Sequence, residues 1–441
     1  MKYRNILLLV LVLCCAGCTT VVKVVMLHQP QAKKLFTPPP PDHTLTGTAW
    51  TNSVSDGTNS LTVLHLACGN AYSCGYYHGK FFAHDIEQEM TAIFEVAVKL
   101  VDKNKTARRY LSQGGKRTIV NVALDKTWAM MEPYIPQAEK EEMAGLVDGM
   151  QAAGVKSVSL EIIHRVMVIP DLTQTTCSAL IAEKSATTDG HVYQLRILDY
   201  GSGTGLEGHP LVMVYHASRP GDVSFVNVGW VGFTGLVSGM NAKKVAISEM
   251  GLGHLKGDTN TLCGMPMIFL LKNMLRHAGS ASEGAAIISF AQRTSAYAYG
   301  IGDANGGAVG MVTTAHKCEV YPVNESDVID DGDRKIPQFK DVIYAGHNCA
   351  KQHDLVAAML GKFDLQTIQS MARQIRMDSN LHTVIYDLTT GDMWIANGTT
   401  VKLDNKRVYK PAADCPYIKF PFTAWASDEN QKIAKSAKLG P

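Results

Sequence analysis

The stretch that decides the fold is Thr175-Thr176-Cys177-Ser178-Ala179-Leu180-Ile181-Ala182, which is followed after a turn by His191-Val192-Tyr193-Gln194-Leu195-Arg196-Ile197-Leu198-Asp199-Tyr200. Both runs are short and apolar, and a Thr-Asp-Gly turn signal lies between them. The sequence therefore predicts a β-hairpin with Cys177 at the head of its first strand. Antiparallel pairing returns the end of the second strand, with Arg196 and Asp199, to the side of Cys177.

This arrangement indicates a candidate nucleophile. A thiolate beside a guanidinium group has a lowered pKa and attacks carbonyl carbons readily. The alternative is a structural cysteine buried in an apolar strand, which is common in proteins. The residues of the hairpin alone leave both interpretations open.

The segments on the two sides of Cys177 differ in pattern. Before it, one short strand is predicted at 61–66, followed by helices at 86–101 and 137–150. After it, short β-branched runs predict strands, then helices, then strands again. The strands are at 178–183, 191–200, 211–216, 224–231, 244–250, 298–301, 310–314 and 342–345, with a hairpin over 383–396, and the helices are at 266–277, 282–293 and 365–375. This order predicts an α+β fold, with helices layered on antiparallel sheets.

The N-terminus has the features of an export signal. Lys2 and Arg4 precede a short apolar run at 6–13 and the small-residue sequence Ala16-Gly17-Cys18. We expect residues 1–18 to be a signal peptide, and Ala16-Gly17-Cys18 also resembles the end of a bacterial lipoprotein signal, with Cys18 as the lipidated residue. The alternative is an uncleaved N-terminal anchor. Residues 19–45 contain four consecutive prolines and predict an extended linker, either a stalk or a plain disordered segment.

Composition excludes several classes of function. The chain has 441 residues, 46% of them hydrophobic, and a formal net charge of +2, which gives no electrostatic reason to expect a nucleic-acid partner. It contains no His-Glu-x-x-His motif, no phosphate-binding loop and no dinucleotide fingerprint, so neither a metal nor a cofactor is predicted. Seven cysteines follow the signal, an odd number, and with Cys177 free the other six allow fifteen disulfide pairings in an oxidising compartment.

The hairpin strongly resembles the start of the mature chain in cysteine N-terminal-nucleophile (Ntn) hydrolases. This superfamily includes bile salt hydrolases, acid ceramidase, N-acylethanolamine acid amidase and the fungal penicillin acyltransferase. Their pattern is Cys-(Thr/Ser), a Gly-containing turn and then Gly-Arg-Asn-x-Asp, and Arg196 and Asp199 fall on its Arg and Asp. Leu195 and Ile197 replace its Gly and Asn, so the contacts made by that Asn are not expected here.

Further segments resemble the penicillin-acyltransferase-like branch, and the similarity covers roughly residues 60 to 400. The sequences at 74–80, 142–149 and 158–161 resemble segments of its propeptide. Glu249 falls where the ceramidase-like branch has a site glutamate, and Asn348 falls in a segment that supplies a site asparagine. The resemblance implies a four-layer αββα sandwich and an inactive precursor that cuts itself between Thr176 and Cys177.

The same resemblance implies the organisation of the chain and the roles of the site residues. Residues 46–176 would form a mostly helical propeptide or α-chain, residues 177–441 the catalytic β-chain, and the two would stay associated after cleavage. Cys177 would be the nucleophile, with its freed α-amino group as the base, since the reference pKa of that amine is about 7.7–8.0. Arg196 would stabilise the thiolate and Asp199 would orient the amine. Asn348, with a backbone N–H near Glu249, would hold the oxyanion, and we expect His347 to be structural.

The expected activity is cleavage or transfer of an acyl group from a small acyl-amide or lipid-like substrate, by an exported enzyme that is membrane-anchored if Cys18 is lipidated. Hydrolysis and transfer share one thioester intermediate, and the sequence does not separate them. One alternative is a lipid acyl hydrolase like phospholipase B relatives. Another is a non-catalytic lipoprotein on a degenerate Ntn fold that never cleaves.

Overall fold

The computed structural model describes residues 43–102, 112–173, 176–200, 205–255, 259–403 and 406–426. The predicted signal peptide, the lipidation site Cys18 and almost all of the linker lie outside the described residues. No helix within those ranges has the length and apolar character needed to cross a membrane.

Two sheets dominate the fold. The larger one has nine strands, in the spatial order β1 (Gly47–Ser55), β2 (Ser60–Cys68), β5 (Pro210–Tyr215), β6 (Phe225–Trp230), β7 (Ser238–Asn241), β8 (Ala246–Gly251), β9 (Tyr297–Gly302), β10 (Val309–Thr313) and β11 (Cys318–Pro322). The smaller one has six, in the order β14 (Val342–Gly346), β3 (Cys177–Ala182), β4 (Tyr193–Asp199), β15 (Asn380–Asp387), β16 (Asp392–Asn397) and β19 (Ile418–Phe420). Two hairpins complete the strands, β12 (Val328–Asp330) with β13 (Lys335–Pro337) and β17 (Thr399–Leu403) with β18 (Lys406–Lys410).

The helices fall into one group before Cys177 and another after it. They are α1 (Ala71–Phe81), α2 (Ala83–Asp102), α3 (Gln113–Met131), α4 (Gln137–Ala152), α5 (Leu160–Met167), α6 (Ile169–Thr173), α7 (Met267–His277), α8 (Ala281–Phe290), α9 (Cys349–Met359), α10 (Leu365–Ile375) and α11 (Phe422–Trp425). Four of them begin at a polar side chain that accepts a backbone N–H of the first turn, the N-cap arrangement that satisfies donors a helix leaves unpaired. These caps are Asn70, Ser112, Ser280 and Asp364.

The two sheets face each other. β3 and β4 of the smaller sheet pack on β8 and β9 of the larger one, while α7 and α8 contact the larger sheet and α9 and α10 contact the smaller. Every residue of β3 and β4 is buried because both faces of these strands are covered. This burial on both faces explains why the sequence of β3 is a continuous apolar run. The molecule is a mixed α/β protein, and among its described residues neighbouring strands are antiparallel apart from the parallel pair β2 and β5.

The segment before Cys177 is part of the larger sheet. β2 pairs with β5 from the other side of Cys177, and β1 forms the sheet edge. The sequence predicts a strand in the β2 region but none at β1. β1 is mostly exposed and rich in Thr, Asn and Ser, so it lacks the apolar alternation that identifies a strand.

Helices α1 and α4 cross with their backbones in contact. A Cβ atom built on Gly75 of α1 would lie 1.8 Å from the Glu142 carbonyl oxygen, and one on Gly145 of α4 would lie 2.0 Å from the Tyr72 carbonyl oxygen. The glycines one turn later, at 79 and 149, meet the partner helix in the same way. The two glycine motifs that resemble propeptide segments therefore form one tight helix crossing.

Candidate functional site

Cys177 is the first residue of β3, between β14 and β4. Its Cα pairs with that of Leu198, and its carbonyl oxygen accepts the His347 backbone N–H at 3.2 Å. The side chain is 1% exposed. The predicted hairpin is therefore present, with the thiol enclosed between the sheets.

The guanidinium of Arg196 lies against this thiol. It is fully buried, and it lies close enough to the Cys177 side chain for its charge to favour the thiolate. Its Nη2 donates to Glu249 Oε1 at 2.7 Å, across the space between the sheets. The other nitrogens donate to backbone carbonyls, at 2.7 Å to Ile197 and 3.4 Å to Val237. Every nitrogen of the group has an acceptor, which fixes its position beside the sulfur.

The intact chain holds the Cys177 thiol protonated. Burial raises the pKa of the thiol to about 12, against the favourable charge of Arg196, and Glu249 and Asp199 raise it further. Burial also raises the pKa of Glu249, which Arg196 opposes. At neutral pH the sulfur therefore needs a base before it can attack a carbonyl carbon.

Asp199 lies on the other face of β4, because it is three residues from Arg196 and side chains alternate along a strand. Its Oδ1 accepts the Met377 backbone N–H at 3.2 Å, while its buried Oδ2 has no hydrogen-bond partner. His347 Nδ1 is 3.7 Å from that oxygen, beyond hydrogen-bond distance. Burial raises the pKa of Asp199 to about 7, although the Met377 N–H and two arginines lower it.

The predicted cleavage point lies opposite Asp199 across the β3–β4 pair. Since Cys177 pairs with Leu198, the next residue of β4 lies beside the bond between Thr176 and Cys177. Thr176 is exposed, and its hydroxyl donates to Met377 Sδ at 2.9 Å. The register therefore places Asp199 opposite Thr176, next to the residue whose nitrogen cleavage would turn into an amine.

Asn348 is placed differently from the other predicted site residues. It is exposed at the N-terminus of α9, and its side chain makes no capping hydrogen bond. His347 before it is half-buried, with Nδ1 3.3 Å from Ser178 Oγ, and burial lowers the pKa of its imidazole. The structure thus groups Cys177 with Arg196 and Glu249 on the inner face and places Asp199 on the outer face. It leaves the Asn348 amide at the surface.

Sequence reasoning missed His382, which lies at the start of β15. It is fully buried, its Nε2 is 2.6 Å from Ser238 Oγ, and its ring stacks on Trp230 with centroids 5.2 Å apart. Burial and then the charge of Arg196 hold the pKa of His382 well below its usual value. A polar residue at the head of a predicted apolar strand was the available signal.

Asp171, on α6 just before the cleavage point, was also missed. Both of its carboxylate oxygens accept the Met267 backbone N–H at the start of α7, at 3.3 and 3.2 Å, and one accepts the Thr294 hydroxyl. Burial raises the pKa of Asp171 to about 7. The segment preceding Cys177 is therefore held on elements that follow it.

The remaining cysteines carry free thiols. All seven cysteines after the predicted signal lie in described residues, and none forms a disulfide. The pairings that the odd cysteine count allows are thus absent from this structure. Across the described ranges, no group of three or more His, Cys, Asp or Glu side chains is arranged to hold a metal ion.

Comparisons with known proteins give similarity over most of the chain. No protein-family model matches it. It is similar to protein dcd1B of Dictyostelium discoideum, 25% identical over 394 residues that cover 85% of this chain and 76% of the relative. It is also similar to protein dcd1A of the same organism, 26% identical over 375 residues that cover 77% of this chain and 79% of the relative. Shares of this size include residues on both sides of Cys177.

Three solved structures are also similar to the chain. An N-acylethanolamine-hydrolyzing acid amidase ortholog from Caenorhabditis elegans is 13% identical with a TM-score of 0.38, covering 48% of this chain and 93% of its own. A conjugated bile acid hydrolase from Clostridium perfringens is 12% identical with a TM-score of 0.34, covering 55% and 96%. Penicillin V acylase from Agrobacterium tumefaciens is 13% identical with a TM-score of 0.35, covering 50% and 83%.

Proposed function

We propose that the chain is a self-processing amidase or acyltransferase of the cysteine Ntn type, with the four-layer αββα architecture of that superfamily. The observation that carries this proposal is the position of Cys177, at the head of a central strand with its thiol beside the charge of the buried Arg196. A cysteine with only a structural role does not require a fully buried guanidinium beside it. Burying such a cation is unfavourable unless the surroundings compensate it.

Self-cleavage would proceed by an acyl shift. Cys177 Sγ attacks the carbonyl carbon of Thr176, the bond from that carbon to the Cys177 nitrogen breaks, and the thiol proton ends on the nitrogen. Water then adds to the thioester and the carbon–sulfur bond breaks. The products are a carboxylate at Thr176 and a free thiol and amine at Cys177.

The free oxygen of Asp199 suits the amine that this reaction releases. An ammonium or amine at residue 177 would donate to Oδ2, which has no partner in the intact chain. The amine would also favour ionisation of Asp199, whose pKa is about 7 before cleavage. Cleavage would thus satisfy a buried polar atom and place a base near the sulfur.

Turnover would use the same sulfur on an acyl-amide substrate. The α-amine takes the thiol proton, and the thiolate, whose charge Arg196 stabilises, attacks the carbonyl carbon of the amide. The carbon–nitrogen bond then breaks as the α-ammonium returns the proton to the departing amine, which leaves an acyl-thioester. Water or an amine acceptor adds to the thioester, the carbon–sulfur bond breaks, and the acyl group is released with the thiol restored. Asn348 would supply an oxyanion donor after its side chain turns inward from the surface. The mostly helical segment 46–176 would remain bound, which the strands β1 and β2 support because they belong to the larger sheet. Export and lipidation at Cys18 complete the proposal.

A second candidate is a chain that never cleaves. One observation favours it: the thiol is 1% exposed, and its pKa of about 12 leaves it protonated at neutral pH. A precursor and a degenerate fold share this feature, so cleavage itself separates the two candidates.

The test is the fate of the purified full-length chain and its Cys177→Ala variant on a denaturing gel, with intact mass and N-terminal sequencing. We expect the unmodified chain to give two pieces, the second beginning at Cys177, and Cys177→Ala to stay whole. Cys349→Ala is the matched control, since Cys349 is near the same strand ends with its Sγ 2.7 Å from the Gly346 carbonyl oxygen, and it should cleave normally. An uncut wild-type chain would contradict the proposal.

Processed protein would then be assayed with N-acyl amino acids, bile-salt conjugates and lysophospholipids. Release of an acid or amine from the amides supports the amidase. Activity confined to lysophospholipids would instead support a lipid acyl hydrolase.

A further inference from the structure

A cavity of about 400 Å³ lies away from Cys177. Its volume is within the range of small-molecule binding sites, about 300–1,000 Å³. It opens where β2 and β5 begin and β6 ends, and none of the residues assigned above to the candidate site lines it. The proposed function leaves this cavity without a role.

The cavity has an apolar floor and a polar mouth. Leu211, Val212, Val228 and Val231 form the floor and are buried. The mouth carries hydroxyl, amide, imidazole and carboxylate groups, supplied by Ser60, Thr62, Asn397, His209 and Asp85. Such a lining fits a molecule with a hydrocarbon body and a hydrogen-bonding head.

One carboxylate lies at the mouth. Asp85 lies there with His209 Nδ1 3.7 Å from its Oδ1. One helical turn further along α2, Glu89 is fully buried and both of its oxygens lack a hydrogen-bond partner. Burial raises the pKa of Glu89 to about 9, with the charges of Glu207 and Asp85 adding to the rise. Glu89 is therefore neutral at pH 7, and a positively charged head at the mouth would face the Asp85 carboxylate.

The cavity and Cys177 lie at the same end of the strands of the smaller sheet, but they are separate sites. Cys177 starts β3, and Asn397 ends β16 three strands away in the same sheet. At about 4.8 Å between neighbouring strands, the separation is roughly 14 Å. The walls come from the segment before Cys177, through Thr62 and Asp85, and from the segment after it, through Leu211 and Val228.

We propose that this cavity is a binding site for a small amphipathic amine, with its apolar body on the floor and its ammonium group at Asp85. The site does not depend on cleavage at Cys177, because both walls are already in place in the intact chain. A bound amine leaves the thiol unoccupied.

The probe is octylamine, titrated into the full-length Cys177→Ala protein by calorimetry, with octanol and octanoate as ligands of equal chain length. We expect one octylamine per chain, octanol at least tenfold weaker because it has no charge, and octanoate weaker again. The same titration with the unmodified chain should give the same affinity. The proposal is wrong if octylamine shows no saturable binding or if octanoate binds more tightly.

Four variants locate the site. Thr62→Trp narrows the mouth and should weaken octylamine at least tenfold, whereas Thr58→Trp, an exposed threonine in the turn before β2, should have no effect. Asp85→Asn should weaken octylamine tenfold and leave octanol unchanged. Glu89→Gln should change octylamine less than threefold, since the Glu89 carboxyl is already neutral at pH 7. Unchanged binding in Thr62→Trp, with circular dichroism confirming the fold of each variant, would overturn the proposal.

Discussion

The surroundings of two buried cations, Lys272 and Arg196, differ in how completely their polar groups are paired. Lys272 of α7 is fully buried, and its Nζ donates to Glu139 Oε2 at 2.8 Å, Glu142 Oε2 at 2.6 Å and the Thr234 carbonyl oxygen at 2.9 Å. Tyr215 donates to the remaining oxygen of Glu142 at 2.7 Å. The three donors of an ammonium group are thus used, and this cluster joins the segment before Cys177 to the segment after it.

Around Arg196, the guanidinium has acceptors for all its nitrogens, but the neighbouring groups are not all satisfied. Burial raises the pKa of the Cys177 thiol to about 12, and the carboxylate of Asp199, on the opposite face of β4, keeps one buried oxygen without a hydrogen bond. A fully paired cluster stabilises one arrangement of the chain. A cluster with unsatisfied polar atoms stores free energy that a reaction can release, which is typical of functional sites.

Removing the lysine should have the largest effect on stability. Lys272→Met removes the ammonium group from two buried carboxylates, of which Glu139 keeps Arg276 Nη1 at 3.4 Å, and breaking such a buried pair costs about 3–5 kcal/mol. We expect this loss in urea unfolding of the uncleaved Cys177→Ala chain. Lys243→Met, at an exposed lysine, should stay within about 0.5 kcal/mol of the parent. Equal stability of the two variants would mean that the buried lysine cluster does not join the two segments.

The other cluster predicts a pH dependence. The pKa of Asp199 is about 7 in the folded chain, above the value of about 3.9 in an unfolded one. The folded state therefore binds a proton on Asp199 more tightly than the unfolded state does. The stabilisation that this proton gives the folded state is complete below pH 4 and is lost as the pH rises to 7, by at most about 1.4 kcal/mol per pH unit.

Urea unfolding of the Cys177→Ala chain between pH 4 and 8 measures this loss. Adding Asp199→Asn should make the decline shallower by the share of this one group, since Asp171 and Glu89 also have raised pKa values, whereas Asp354→Asn, at an exposed carboxylate, should leave it intact. A slope that is unchanged in the Asp199→Asn variant would contradict the assignment of Asp199 as one of the titrating groups.

The helix crossing that carries Glu142 gives the smallest expected effect. Gly145→Ala places a methyl group 2.0 Å from the Tyr72 carbonyl oxygen, and such overpacking costs about 1–3 kcal/mol. Gly114→Ala on α3 meets nothing within 4 Å and should gain up to about 1 kcal/mol from helix propensity. Thermal melts of both variants compare the two positions, and an equal shift would contradict the close crossing of α1 and α4.

The sequence predicted the elements with strong periodicity. The hairpin of β3 and β4 and the helix α10 lie within two residues of their predicted bounds, because a long apolar run or a regular apolar stripe records burial directly. The sequence does not predict β1, because an exposed edge strand has no apolar run or alternation. Glu249 was selected only by resemblance, and its contact with Arg196 joins two sheets whose packing no local pattern specifies.

By itself the sequence determined that a cysteine heads an apolar hairpin whose returning strand carries an arginine and an aspartate. It did so because strand alternation and turn chemistry are local properties. Three outcomes depend on the packing of the whole chain: Arg196 pairs with Glu249, Asp199 keeps an oxygen without a hydrogen bond on the opposite face, and the thiol is closed from solvent. Those outcomes depend on which groups remain unpaired once two sheets and their helices are packed, and that is a property of the whole fold.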